Sequence, residues 1–270
     1  MYLKVECNRH GLDKLSNIRH QKYNHIEFIH MLSNGGSVLA GSHILPIVKG
    51  AVFIIDSSEP HCTAPKNPEV YLRNCLTIDR PSFDAFVAAT GLDSVIRNLY
   101  RSGVFCAVCE NDSIDRISSL FSELSELVKA GAPDPDKYFV IFRILMLLRD
   151  SGIASDRYPE DKSTVARALD YIEHNALGGI GTAEIAKALH VNKHYLCHAF
   201  KNKTGITLTE YILNKRLGTA NELLSDRKLS IGEIAARVGF SSESYFICKY
   251  RERYGISPGK KRSEEQKSKR

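Results

Sequence analysis

Apolar and polar residues alternate in short runs between residues 18 and 78. The runs HIEFIHML, SVLAG, HILPIV, AVFIID and VYLRNCLTI are separated by SNGG, KG, SSEP and APKNP. Alternation with a period of two is typical of half-buried strands, and glycine, proline and asparagine between the runs mark turns. The pattern therefore predicts a series of antiparallel strands that form a small barrel or sandwich.

The period changes to that of helices from residue 81. A proline opens PSFDAFVAATG, and both DSIDRISSLFSELSELVKAG and DPDKYFVIFRILMLLRDSG space their apolar residues by three and four. The last two segments predict an antiparallel helical pair. Because YFVIFRILMLL is apolar nearly all round, either its own domain or a partner subunit must cover it.

The second half of the chain is predicted to be helical throughout. SGIASDRYPEDKS, 151 to 163, lacks apolar periodicity and predicts a linker. Residues 164–262 then carry successive helical patterns, and the charged end of the chain, 263–270, is expected to be disordered. The predicted class is α+β, with a strand-rich domain over 1–150 and an all-α domain after the linker.

Two segments of the helical half repeat one another at an offset of forty-nine residues. EIAKALHV stands at 184 to 191 and EIAARVGF at 233 to 240, and the match continues into the following segments after a one-residue insertion. Each copy has a helix, a tight turn, and a second helix that stops at a glycine. Asn192 and Ser242 stand at the N-cap of each second helix. The repeat predicts two helix-turn-helix units joined by a long helix, with second helices that fit a major groove.

Charge is divided unevenly along the chain. The whole chain carries +6, whereas residues 162–270 hold 20 Lys and Arg against 11 Asp and Glu. A basic half beside a mildly acidic one indicates a polyanionic partner for the second half. The alternative is a solvated basic surface.

Composition argues against several other classes of protein. The hydrophobic fraction of 43% and the charged fraction of 25% are those of a soluble globular protein. The first ten residues lack a signal-peptide pattern, and the longest apolar run, eleven residues with Arg143 inside it, is too short to cross a bilayer. The seven cysteines are odd in number and scattered, so reduced thiols in a cytoplasm are expected, with Cys106 and Cys109 in the core.

These motifs resemble the AraC family of bacterial transcription regulators. The resemblance covers about 164 to 262 and rests on IAKALHV, YLCHAFKNKTGIT, RLGTANELL, IGEIAARVGF, SYF and YRERYGISP. KGAVFIIDSSEPH in the first half is similar to the cupin-type effector domain of that family. The resemblance implies a cytoplasmic regulator, not an enzyme, that binds double-stranded DNA and responds to a small molecule, for which sugars are a common choice. It also favours a homodimer, and RNA polymerase as a further partner if the protein is an activator.

The resemblance also implies which residues face DNA. Helical spacing puts Leu196, Phe200, Phe246 and Tyr250 on the inward face of the two second helices. The candidate DNA-binding residues, caps included, are Asn192, Lys193, His194, Cys197, His198, Lys201, Ser242, Glu243, Ser244, Ile247, Cys248 and Arg251.

The sequence departs from the family at the base-reading positions. A Ser-Arg or Gln-Arg pair is usual in each second helix, but here Cys197-His198 and Ile247-Cys248 stand there. Arginine is the commonest reader of guanine because its fork matches two acceptors. His198 can still donate one hydrogen bond, whereas Cys248 is a weak donor. The second helix-turn-helix unit is therefore expected to bind phosphates of the DNA backbone more than it reads bases.

Polar residues in RHQKYNHIEF and EPHC are candidates for a small-molecule site in the first domain. They are Arg19, His20, Tyr23, His25, Glu27 and His61. His25 and Glu27, two apart on a strand, would point to the same face. The usual cupin metal motif has two histidines two apart and a later glutamate, and this spacing differs, so no metal or cofactor is expected. The alternative is that the histidines are ordinary strand residues with satisfied hydrogen bonds.

Two further alternatives come from other classes of protein. One is a cupin metalloenzyme fused to a nucleic-acid-binding module, and the missing metal spacing speaks against it. The other is a DNA-repair methyl acceptor with the same helical domain, which needs a reactive cysteine in an N-terminal zinc-bound cluster. Cys7 alone does not make such a cluster.

Overall fold

The chain is divided into a sheet-rich region and a helical region. The structure is a computed structural model that describes residues 1–10, 24–57, 61–97, 103–110, 112–150, 163–175 and 179–267. It separates into two compact units, the first made of most of Met1–Glu160 and the second mainly of Asp161–Arg270. The predicted linker, 151–163, lies outside the described residues except for Ser163.

The strands of the first unit form two antiparallel sheets. The strands are β1 (Leu3–His10), β2 (His25–Met31), β3 (Gly36–Ala40), β4 (His43–Pro46), β5 (Ala51–Asp56), β6 (His61–Pro65), β7 (Leu72–Asp79) and β8 (Val104–Val108). The larger sheet has the order β1-β7-β2-β5-β8, and the smaller has the order β4-β3-β6. The predicted antiparallel strands between residues 18 and 78 are confirmed as β2 to β7.

Two strands lie outside the predicted range. In β1 the apolar Leu3, Val5 and Cys7 alternate with polar residues, so this strand carried the same signal as the others. β8 has the run VFCAV, which is buried along almost its whole length and therefore shows no alternation. A short buried strand cannot be told from a buried helical segment by periodicity, which is why the helical prediction from residue 81 onward passed over it.

Three α-helices and a short 3₁₀ helix, Leu92–Ser94, accompany the sheets in the described part of the first unit. The α-helices are α1 (Arg80–Thr90), α2 (Asp112–Lys129) and α3 (Asp134–Asp150). The predicted start of α1 is confirmed, because Asp79 caps the helix by accepting a hydrogen bond from the Ser82 amide at 3.0 Å. Gly91 ends α1 with φ of 67°, a left-handed conformation that favours glycine.

The larger sheet buries apolar side chains on both faces. One face supplies Ile26, Phe28 and Ile54 to a core shared with the three helices. The opposite face supplies Ile29 and Phe53 to a second core, which the smaller sheet completes. The first unit is thus a sandwich of two sheets with helices on the outer face of the larger one.

The apolar helix α3 is largely covered by its own unit. Val140, Ile141, Ile144, Leu145 and Leu148 all lie in the core shared with the larger sheet. α2 and α3 pack together as the predicted helical pair. One large apolar side chain of α3 points outward, because Phe139 is 63% exposed. The Cys106 and Cys109 thiols are buried in the same unit, as predicted.

Seven helices make up the described part of the second unit. They are α4 (Thr164–Asn175), α5 (Thr182–Ala188), α6 (Lys193–Thr204), α7 (Leu208–Leu223), α8 (Ile231–Arg237), α9 (Glu243–Tyr254) and α10 (Pro258–Lys267). Thr207 with Glu210 and Ser230 with Glu233 form capping boxes at the starts of α7 and α8. No helix in the described part of the chain is long and apolar enough to span a membrane.

The charged end of the chain is helical as far as it is described, because α10 continues to Lys267, and disorder stays a prediction for residues 268–270, which lie outside the described residues. Pro258 opens the helix, and the Ser257 hydroxyl accepts a hydrogen bond from the Lys260 amide at 3.4 Å. Lys260 and Glu264 are one helical turn apart, with 4.0 Å between their charged atoms. A charged composition is compatible with a helix when its residues are good helix formers and its start is capped.

Candidate nucleic-acid interface

The two predicted repeats fold into two equivalent helix-turn-helix units. α5 packs on α6 in the first helix-turn-helix unit, and α8 packs on α9 in the second helix-turn-helix unit. The turns close with the same hydrogen bond, from the Val191 amide to the Ala186 carbonyl at 3.0 Å and from the Phe240 amide to the Ala235 carbonyl at 2.9 Å. The two buried alanines let the helices of each unit cross closely.

Both recognition helices, α6 and α9, begin at the predicted N-caps. The Asn192 side chain accepts hydrogen bonds from the His194 and Tyr195 amides at 2.8 and 3.2 Å. The Ser242 hydroxyl accepts one from the Tyr245 amide at 3.2 Å. Both helices end at a glycine in the left-handed conformation, as the sequence predicts.

The inward and outward faces of α6 and α9 divide as helical spacing predicts. Leu196, Phe200, Phe246 and Tyr250 are completely buried. Ten of the candidate DNA-binding residues are exposed: Asn192, Lys193, His194, His198, Lys201, Ser242, Glu243, Ser244, Cys248 and Arg251. The other two candidates, Cys197 and Ile247, are half-buried.

His198 presents a hydrogen-bond donor on the outward face of α6. Its Nδ1 atom lies 3.2 Å from the Asn202 side-chain nitrogen, one turn further along the helix. An amide nitrogen only donates, so Nδ1 accepts, and the neutral ring carries its proton on Nε2. With the Asn202 amide in this orientation, Nε2 of the neutral His198 ring is the donor available to a base acceptor.

The outward face of α9 is partly neutralised by an acid that sequence reasoning did not select. The Glu252 carboxylate accepts hydrogen bonds from Lys249 Nζ at 2.7 Å and from Cys248 Sγ at 3.4 Å. The hydrogen bond from Lys249 to Glu252 raises the pKa of that lysine. Glu252 also lines a surface groove with Ser244, Ile247, Cys248 and Arg251. The i,i+3 spacing of Lys249 and Glu252 was a signal that could have found this pair.

Two exposed tyrosines occupy the same place in the two units and were also missed as candidates. Tyr195 is 58% exposed on α6, and Tyr245 is 48% exposed on α9. The ring of Tyr245 lies 5.9 Å from the ring of Phe240 and 5.7 Å from Lys249 Nζ. Equivalence of the two positions in the repeat, together with the buried residue that follows each one, was the available signal.

The structure brings two of the candidate effector residues together inside the sandwich. His61 Nε2 and Glu27 Oε2 are 3.0 Å apart, and the His61 side chain is 6% exposed. Burial raises the pKa of Glu27, but the hydrogen bond from His61 and the positive charge of Arg73 outweigh it and hold the pKa below its ordinary value. Arg73 was not selected from the sequence, although it is 2% exposed and stacks over the Tyr71 ring at 4.6 Å.

The other candidate effector residues have different positions. His25 packs its ring edge-to-face against Tyr2, with 5.1 Å between ring centroids. Arg19, His20 and Tyr23 lie outside the described residues. Among the described residues, no group of three or more His, Cys, Asp or Glu side chains is arranged to hold a metal ion.

The comparisons with known proteins concern mainly the second unit. A family model described as a helix-turn-helix domain matches residues 185–264. The chain is 30% identical to a probable transcriptional regulator, LumQ of Photobacterium leiognathi, over 53% of this chain and 58% of LumQ. It is also 30% identical to AdaA of Bacillus subtilis, a bifunctional transcriptional activator and DNA repair enzyme, over 37% of this chain and 47% of AdaA.

One solved structure with related sequence comes from Chromobacterium violaceum. It is a transcriptional regulator described as having an AraC-type DNA-binding domain, 31% identical, with coverage of 37% of this chain and 89% of that one and a TM-score of 0.35. The chain spans less than two thirds of the length of LumQ and of AdaA. Within the matched region the chain is thus similar to transcription regulators that carry a helix-turn-helix domain.

Proposed function

We propose that this protein is a transcription regulator that binds double-stranded DNA with α6 and α9. The observation that carries the proposal is the duplicated unit, in which two capped helices present exposed polar faces from equivalent buried scaffolds. The excess of basic residues after residue 161 supplies attraction to phosphates. A regulator of this kind acts where the DNA is, in the bacterial cytoplasm.

The test measures binding of the full chain to a fluorescent random-sequence duplex at increasing salt. The outward faces of α6 and α9 carry Lys193, Lys201 and Arg251, and each phosphate contact contributes about −0.9 to the slope of log K against log salt, so a slope of about −3 or steeper is expected. Lys193→Gln with Lys201→Gln should make the slope shallower by about 2. Binding that does not depend on salt, or no binding, would remove the proposal.

The sheet-rich unit, most of Met1–Glu160, is proposed to be a cupin-like effector domain that binds a small molecule, with sugars as the first class to test. His61 and Arg73 are buried and Glu27 is partly buried, with a 16% exposed side chain, on the facing surfaces of the sandwich, and such groups hydrogen-bond hydroxyl and carboxyl ligands. A thermal-shift panel of sugars and organic acids should contain a compound that raises Tm. Glu27→Gln and His61→Gln should abolish that shift, while His43→Gln, at an exposed position on β4, should keep it. A shift that survives in both variants places the effector elsewhere.

The protein is further proposed to form a homodimer through α3, and to contact RNA polymerase if it activates transcription. Phe139 is 63% exposed on α3, with the partly buried Phe142 and Met146 on the same helix. Exposed aromatic side chains beside apolar neighbours are typical of interfaces. Sedimentation of Phe139→Ser should give a monomer where the parent gives a dimer, and Val70→Ser, at a residue that is 59% exposed, should not. A monomeric parent contradicts this part of the proposal.

A further inference from the structure

The long helix α7 contacts both helix-turn-helix units. On the side of the first unit, Lys215 Nζ lies 2.9 Å from Glu173 Oε1 on α4, and the Tyr211 ring packs on Phe200 of α6 at 5.6 Å. The Tyr211 contact fixes α7 to the first recognition helix, whereas the Lys215 ion pair joins α7 to α4. These contacts do not by themselves determine where the second recognition helix lies.

The side of the second unit is held by a row of polar contacts from α9. Arg253 Nη1 donates to Asn214 Oδ1 at 2.8 Å, and the Tyr254 hydroxyl donates to the Leu217 carbonyl at 2.8 Å. Further along, the Tyr250 hydroxyl donates to Asn221 Oδ1 at 2.6 Å. The back of the second recognition helix is therefore fixed to the same helix, α7, that carries the first.

Arg216 is the residue of α7 where elements of both units meet. Its Nη2 donates a hydrogen bond of 2.7 Å to the carbonyl of Ile180, in the segment that leads into α5. Its Nε lies 3.1 Å from the position that a Cβ atom on Gly239 would occupy, in the turn between α8 and α9. The guanidinium is half-buried, and this burial lowers the pKa of Arg216. A side chain so placed contacts the entrance of the first unit and the turn of the second.

Gly239 allows the two units to approach so closely. Its φ of +84° favours glycine, and a Cβ atom there would lie 2.9 Å from the backbone nitrogen of Gly179. Any larger residue would therefore have to move backbone, not only a flexible side chain. The backbone of the second unit's turn thus lies directly against the segment that precedes the first unit, with Arg216 beside both.

We propose that Arg216 is a positioning residue that holds the two helix-turn-helix units at one relative orientation, and so determines the spacing between the two DNA segments that they read. This inference rests on the proposed function. Two binding units at a fixed separation gain avidity only for DNA of matching geometry, and the gain is about 10²- to 10⁴-fold over either unit alone. One base pair of extra spacing moves the second segment by about 3.4 Å and rotates it by about 35°. A rigid junction therefore makes affinity sensitive to spacing, and a loose one does not.

The experiment compares the full chain with Arg216→Met, which keeps an unbranched apolar stem and removes the guanidinium with its donors. A preferred duplex is first selected from a random-sequence library with the parent protein. Affinity is then measured on a series in which the spacing between the two protected segments changes by one base pair at a time. Lys215→Met is the matched control, because it removes the neighbouring charge on α7, whose ion pair is with Glu173 on α4.

For the parent and Lys215→Met we expect the affinity for the duplex to drop by about tenfold or more when the spacing changes by one base pair. This drop is smaller than the gain of about 10²- to 10⁴-fold that two linked binding units can provide. For Arg216→Met we expect weaker binding at the preferred spacing and a nearly flat profile. An equal loss at every spacing would mean that Arg216 only contacts phosphate. An unchanged profile, or a loss of helicity in the variant, would also overturn the proposal.

A second readout needs no DNA, so it separates a failure of this inference from a failure of the proposed function. Nitroxide labels on Cys197 and Cys248, one on each recognition helix, report the distance between the two units when Cys7 is replaced by alanine. The parent and Lys215→Met should give one narrow distance distribution, and Arg216→Met a clearly broader one. If Arg216→Met stays as narrow as the parent, the positioning role is wrong even if the protein binds DNA. If the parent binds no duplex, only the proposed function fails.

Discussion

The two recognition helices have the same scaffold and different outward chemistry. α6 and α9 each have 12 residues, a side-chain N-cap, buried residues at equivalent positions, and a left-handed glycine at the end. Their charges differ, because α6 carries three lysines and no acid, whereas α9 carries three basic residues and two glutamates. Folding and recognition therefore depend on different positions of the same helix, and each set can change without the other.

The difference extends to the residues that would read bases. His198 and Cys248 occupy equivalent positions in the repeat, and the His198 ring has Nε2 as a donor when Nδ1 accepts from Asn202. The Cys248 thiol instead donates to Glu252 on its own helix. The first helix-turn-helix unit thus has the better donor for base acceptors, while the second helix-turn-helix unit has Arg251 for phosphates.

The largest effect should come from the shared scaffold and be similar in the two units. Phe200→Ala and Tyr250→Ala each remove a completely buried ring, so each should lower the free energy of unfolding by about 3–5 kcal/mol. Urea unfolding followed by circular dichroism measures both. Tyr250→Phe is the control for the hydroxyl that donates to Asn221, and should cost about 1 kcal/mol. If one truncation is tolerated and the other unfolds the protein, the two scaffolds are not equivalent.

Acid should distinguish the sheet-rich unit from the two recognition helices. Burial lowers the pKa of His30 to about 4 from an ordinary value of 6.5, so the unfolded state takes up the proton first as pH falls. The contribution of neutral His30 to the free energy of unfolding is fully present above pH 6.5 and is lost toward pH 4. About 2 kcal/mol of it is lost between about pH 7 and about pH 5. Hydrogen exchange should show faster opening of β2 at the lower pH. His30→Gln should remove this pH dependence of β2 opening. His174→Gln, which changes an exposed side chain, should leave the pH dependence unchanged.

The preference of the protein for one base sequence over another should depend more on the first helix-turn-helix unit than on the second. His198→Ala should reduce the preference for the selected sequence over its single-base variants by about 1 kcal/mol, since one hydrogen bond to a base is lost. Cys248→Ala should change that preference much less. Arg251→Ala should weaken all sequences about alike, as loss of a phosphate contact does. Competition binding on single-base variants measures all three, and equal losses for His198→Ala and Cys248→Ala would contradict the asymmetry.

The smallest effect should come from removing the acid that neutralises α9. Glu252→Gln leaves Lys249 without this charged partner and removes a negative charge from α9, the second helix proposed to bind DNA. A single exposed charge near phosphate is worth about 1 kcal/mol or less in water, so duplex binding should tighten by about threefold. Fluorescence anisotropy at two salt concentrations measures it. Glu264→Gln, on α10, should change binding less, and tightening of the same size in that variant would mean that only net charge matters.

Sequence patterns predicted the parts of this protein that depend on neighbours along the chain. The caps Asn192 and Ser242 and the buried faces of α6 and α9 follow from spacing, because helical geometry brings residues three and four apart together. Alternation likewise predicted β2 to β7. It did not predict β8, whose two buried faces leave no alternation to detect.

Contacts between distant segments could not be predicted in this way. The sequence suggested Glu27 and His61 as candidates, but their contact at 3.0 Å depends on strands of two different sheets facing each other. Arg73 was not selected at all, since one arginine in an apolar strand has no local partner that would indicate its burial. Arg19, His20 and Tyr23 stay predictions, because they lie outside the described residues.

By itself the sequence determined that there are two helix-turn-helix units, where their helices begin and end, and which faces are buried. These properties are local, since they follow from periodicity, capping and glycine conformation within a few residues. Only the tertiary structure decided that Arg216 meets both units and that the turn at Gly239 lies against Gly179. Those contacts join residues 36 and 60 positions apart, and their geometry depends on how several helices pack at once, which no local pattern specifies.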